Sequence, residues 1–151
     1  MQAKTLVKLA VVALIAFVVW KKGIPWWNEH HGKPAAAEAS PGQGCAAAAA
    51  AASETWGSGV GRFANPPYDL AGWDEFRSRV EQQARKAQEQ CLCADTSCTT
   101  AKNALADLRG LVTEMDASLR SGSPPPSDLV QRQEGIDNAI NNARDLAAQG
   151  K

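Results

Sequence analysis

The sequence predicts an all-α protein: one transmembrane helix near the N-terminus, a Pro/Ala/Gly-rich linker, and a small disulfide-stapled antiparallel bundle of about three helices. Three observations predict it: an unbroken apolar run over residues 9–20 (LAVVALIAFVVW), one-sided helical periodicity in three later segments, and four cysteines in a chain of 151 residues. No stretch of β-branched and aromatic residues alternates with period two, so nothing reads as a strand.

Residues 1–4 form a short cytoplasmic N-terminus and residues 5–24 the anchor. The apolar run extends back to Thr5 if Lys8 snorkels its ammonium to the interface, and forward to Ile24. Twenty helical residues span about 30 Å, the thickness of a hydrocarbon core. Behind the run come Trp20, Lys21, Lys22, Trp26 and Trp27, which suit an aromatic and basic interfacial belt. A cleavable signal peptide needs small residues soon after its apolar stretch, and the nearest small-x-small triplet, Ala37-Glu38-Ala39, stands too far downstream. Cys45 has no apolar run before it, so it is no lipoprotein cleavage site. A retained anchor is favoured over a cleaved signal and over a buried core helix. Lysines flank both ends of the run, so the positive-inside rule does not orient it. The cysteines do: four of them in a small domain suit the exported, disulfide-permissive side. His30 and His31 beside the tryptophans read as interfacial polar residues rather than metal ligands, because adjacent side chains point apart.

Residues 25–55 are the juxtamembrane stretch and linker. Pro34, Pro41, Gly42 and Gly44 interrupt it before the seven alanines of residues 46–52, which have the propensity for two helical turns but are marginal alone in water. Residues 56–72 (WGSGVGRFANPPYDLAG) form an ordered loop rich in Gly, Pro and aromatic side chains. Its alternating glycines lack the preceding strand and following helix of a phosphate-binding loop. The plain expectation is that its aromatics pack onto the bundle. The functional alternative makes Trp56, Phe63 and Tyr68, with Trp73, candidate contacts for a partner.

Residues 73–150 are the helical domain. Trp73, Phe76, Val80, Ala84, Ala87 and Cys91 recur at spacings of three and four, entered through Asp69 or Gly72. A second stripe, Ala101, Leu105, Leu108, Val112, Met115 and Leu119, is entered through Asp95, Thr96 or Ser97 and stopped by Gly122 and three prolines. The third places Leu129, Gln133, Ile136, Ile140, Ala143 and Ala147 on one face, but Asp137, Asn138, Asn141 and Asn142 make its middle polar and weakly packed. Short connections imply antiparallel neighbours.

Cys45, Cys91, Cys93 and Cys98 are disulfide candidates. A Cys91–Cys93 link closes too tight a ring, which leaves Cys45–Cys91 with Cys93–Cys98, or Cys45–Cys93 with Cys91–Cys98. Either way the long bridge closes a loop worth roughly 4 kcal/mol in chain entropy, comparable to the whole stability of a bundle this thin.

Charge narrows the function. Residues 1–34 carry five lysines against one glutamate, net +4, and residues 35–151 carry eleven basic against fifteen acidic side chains, net −4. The acidic part offers nothing to nucleic acid, and the basic end suits lipid head groups. The domain has no histidine, and its acids fall on solvent faces, so the expectation is a non-enzyme without cofactor or metal. The sequence therefore predicts a membrane-anchored accessory or scaffold protein whose partners are the bilayer and a larger membrane or envelope complex. The alternative is thiol-redox or metal handling by Cys91, Cys93 and Cys98, whose spacing matches neither a zinc knuckle pair nor a C-x-x-C redox motif.

Overall fold

Four helices run up and down in the computed structural model, which describes residues 39–151: α1 (Pro41–Gly57), a 3-10 turn (Val60–Phe63), α2 (Leu70–Gln90), α3 (Thr96–Arg120) and α4 (Leu129–Ala148). No strand occurs among the described residues. The predicted anchor over residues 5–24, with Lys8, Trp20, Lys21, Lys22, Trp26 and Trp27, lies outside the described residues. Among those described, no helix is long and apolar enough to cross a membrane.

The bundle has four helices rather than about three, and the added one is α1, expected as linker and a short alanine helix. Its start is well specified. The Ser40 hydroxyl accepts the Gln43 N–H at 3.3 Å, the Gln43 side-chain oxygen accepts the Ser40 N–H at 3.1 Å, and Pro41 occupies the first turn, where its missing N–H costs nothing. Ala46, Ala49, Ala52 and Trp56 are fully buried, and α1 packs on all three other helices. Methyl-sized side chains let backbones approach closely, so a segment with little area per residue still lies at the centre.

The other three helices form where periodicity places them. In α2 the Asp69 carboxylate accepts the Gly72 N–H at 3.0 Å, and Trp73, Phe76, Val80, Ala84 and Ala87 are buried, with Cys91 just beyond. In α3 all six stripe residues are buried, and Ala104 and Leu111 widen the stripe because this helix also has three neighbours. It closes at Gly122 (φ 69°), with the Ser123 N–H donating to the Ser118 carbonyl at 2.9 Å. Helix α4 runs unbroken through its polar middle and buries Ile136, Ile140, Ala143 and Ala147.

This topology gathers different chemistry at the two ends. One holds the starts of α1 and α3 and the finishes of α2 and α4, where the Ser97 N–H donates to the Lys151 carbonyl at 3.2 Å. All four cysteines stand there. The opposite end holds the finish of α1, the 3-10 turn and the start of α2, where four aromatic rings meet.

Candidate functional site

At the cysteine end, Cys45 in the first turns of α1 is bridged to Cys91 at the close of α2, and Cys93 to Cys98 in the first turn of α3, with Cα–Cα separations of 4.6 and 5.8 Å. This is one of the two pairings left open by the sequence. Cys45, Cys91 and Cys98 are buried and Cys93 is half-buried, while Leu92 between the two bridges is 86% exposed. Asp95 caps α3: one carboxylate oxygen accepts both the Cys98 N–H and the Ser97 hydroxyl at 2.7 Å. These two donors, in that order, hold its pKa below the ordinary carboxylate range, and Lys102 adds to them against a small opposing effect of burial. Ser97 is itself buried against Gly42, where a Cβ would stand 2.2 Å from its Oγ. Cys93, Asp95 and Cys98 bring a potential ligand atom each within 4.8 Å of one another. In the bridged state both sulfurs are bonded to each other, so the group offers no thiolate.

A different site lies along the seam between α1 and α4. Ala50, Ser53 and Gly57 present small side chains at helical spacing, and Gln133, Asp137, Asn141 and Arg144 face them, leaving a trough of about 530 Å³. Its floor is polar. Ser53, 2% exposed, donates its hydroxyl proton to Asp137 Oδ1 at 2.7 Å, and the Gln133 amide nitrogen donates to Ser53 Oγ at 2.9 Å and to both Asp137 oxygens at 3.0 Å. The Gln133 carbonyl oxygen is buried and meets no donor among the described residues. The polar middle of α4, expected to pack weakly, is thus its point of attachment to α1. Glu54 and Arg144 stand at the rim. A serine held directly by a carboxylate, with no imidazole between them, is not an activated nucleophile, because a carboxylate is too weak a base for a hydroxyl proton. The trough therefore combines a floor whose hydrogen bonds are largely made internally with charges of both signs at its rim.

The aromatic end corrects the candidate partner contacts. Trp56 and Trp73 are fully buried and Phe63 nearly so; only Tyr68 of the four is part-exposed. Three of the four therefore meet one another instead of a partner. Trp73 packs edge-on to Trp56 at 6.2 Å and to Phe63 at 5.2 Å, while Phe76 stacks on Trp56 at 5.9 Å. The physical reason is that α1 carries Trp56 across the bundle, so the loop aromatics close a core that three helices would have left open. The Trp73 indole N–H donates to Asp116 Oδ1 at 2.8 Å. Burial pushes the Asp116 pKa up, but that indole, Arg120 and Arg77 together outweigh it and hold the carboxyl below its usual value. Arg120 also pairs with Asp74, and Arg132 with Glu114. The Trp56 indole N–H is buried without an acceptor among the described residues.

No protein-family model matches the chain, and no curated protein or solved structure matches it either. Sequence reasoning missed the trough residues Ser53, Gln133 and Asp137 as a unit. Gln133 falls on the inward stripe of its helix, which is the signal that could have found it: a long amide at a core position needs a buried partner.

Proposed function

We propose that this chain is a non-catalytic accessory protein, anchored by residues 5–24 in a membrane and presenting its helical module on the exported face to a larger membrane or envelope assembly. The observation that carries the reading is the pairing of all four cysteines at one end of the bundle. Such bridges persist in oxidising compartments, and the apolar run supplies the means of attachment. The acidic charge of residues 35–151 argues against nucleic acid as partner, and the bonded Ser53–Asp137 pair against hydrolytic chemistry. Deleting residues 1–27 tests the reading. The full chain is expected in the alkali-resistant membrane fraction with no maleimide-reactive thiol, and the deleted chain in the soluble fraction. A truncated protein that still pellets with membranes, or four free thiols in the native material, defeats it.

A second reading is favoured by the proximity of Cys93, Asp95 and Cys98: thiol or metal handling at the mouth of α3. The Cys45–Cys91 bridge takes Cys91 out of that role. Labelling separates the two, since this reading requires Cys93 and Cys98 free or metal-protected while Cys45 and Cys91 stay bridged.

A further inference from the structure

We propose that the trough between α1 and α4 binds an extended peptide segment with a cationic side chain at one position and a carboxylate three residues away. This deepens the accessory reading by naming the docking surface, and it rests on that reading for the partner being a protein. Four features of the trough specify the occupant. Ala50, Ser53 and Gly57 leave a channel along the seam of about 530 Å³, room for a few residues in extended form but not for a helix. Glu54 and Asp137 are acidic, Arg144 is basic, and none of the three is in an ion pair among the described residues, whereas Arg77, Arg120 and Arg132 on other faces all are. Among the described residues the Arg144 guanidinium reaches only Asn141 Oδ1, at 3.4 Å. The Gln133 carbonyl oxygen, buried beneath the floor without a donor among the described residues, adds partial negative charge to the acidic half.

Spacing decides the conformation. Asp137 and Arg144 are seven residues apart on one helix, a rise of about 10 Å. A single amino acid or a zwitterionic lipid head group holds its charges too close together to span that distance. A polyproline II segment returns to the same side every third residue and rises about 9 Å in doing so, so side chains at i and i+3 reach both anchors together. The cation sits over Asp137 and Glu54, the carboxylate on Arg144, and the backbone between them runs along the seam.

The test uses the full chain in detergent micelles, isotopically labelled, titrated with acetyl-Lys-Pro-Pro-Glu-amide while amide shifts are followed by NMR. Shifts confined to residues 50–58 and 133–144 are expected. Binding should weaken about fivefold with Arg144→Glu and with Glu54→Lys, the size of an exposed ion pair, and should fall with added salt. Both side chains are exposed, so circular dichroism should show the fold retained. The Gln-Pro-Pro-Gln peptide should bind weakly or not at all. Equal binding of the neutral peptide, indifference to both variants, or shifts spread over the bundle overturns the proposal, as do the same shifts produced by zwitterionic lipid vesicles with none from the peptide. Copurification separates the two levels of the argument. A membrane partner retained in full by the double variant removes the trough and leaves the accessory reading. Peptide binding with no partner on the wild-type chain supports the trough and removes that reading.

Discussion

The two ends of the bundle are closed by different physics. At one, two disulfides and a capping carboxylate join three helix termini, with Gly42 pressed on Ser97; at the other, Trp56, Phe63, Trp73 and Phe76 interlock, with Gly59 pressed on the Phe76 ring. Between them α1 contributes chiefly alanine. A bundle whose central helix buries so little area per residue is held from its ends, and the covalent end is insensitive to solvent while the aromatic end is not. The comparison teaches that the staple does not substitute for a core; it complements an aromatic core placed as far from it as the helices allow.

The largest effect expected is at the covalent end. Cys45→Ala with Cys91→Ala opens a loop of sequence separation 46 and should cost about 4 kcal/mol in denaturant unfolding, against about 2 kcal/mol for the Cys93–Cys98 pair, whose loop is short. Equal costs would break the picture of one structural bridge and one local one. Next is Gly59→Ala: its Cβ would lie 2.3 Å from Phe76 Cε2, and the ring is locked by its neighbours, so a loss of about 1–3 kcal/mol is expected in thermal unfolding. Gly44→Ala, at a half-buried position in the first turn of α1, meets nothing within 4 Å and should instead stabilise by about 0.5–1 kcal/mol. A contrast of similar size separates the two indoles. Trp73→Phe abandons a bonded Asp116, whereas Trp56→Phe removes a donor without an acceptor, so the first should be about 1 kcal/mol the more costly.

The acid response is the smallest and the most diagnostic of the open faces. Asp95, Glu114 and Asp116 all have folded-state pKa values depressed below their ordinary ones. The unfolded chain therefore binds more protons than the folded one below about pH 5, so their contribution is complete above that value and is lost as pH falls through the folded pKa values. Circular dichroism melts from pH 6 to 2 should decline only in the lower part of that range, and Asp116→Asn should flatten the decline.

Three of the four helices were legible in the sequence because Trp73, Leu105 and Ile136 and their companions repeat at helical spacing. Helix α1 was legible only as a short alanine helix and not as a packed member of the bundle, since a run of alanine has no contrast from which a period can be read. Its start is written plainly, as Ser40, Pro41 and Gln43, but proline and glycine at that spacing also punctuate linkers. One of the two feasible cysteine pairings could be chosen only once Cys45 had a place in three dimensions. The trough was hidden for the same reason: Ser53 lies 84 residues from Asp137, and only the antiparallel register of α1 and α4 makes them neighbours.

The Cys45–Cys91 bond also sets how the module answers a mechanical load. Tension entering at residue 39 meets a covalent link after six residues, and the 46-residue stretch that follows, about 160 Å of contour, is bypassed. The line of force passes from the first turns of α1 into the chain before α3, leaving the aromatic end unstretched. A chain pulled from its N-terminal side would yield first in α3 and α4, with α1 and α2 surviving as a closed ring.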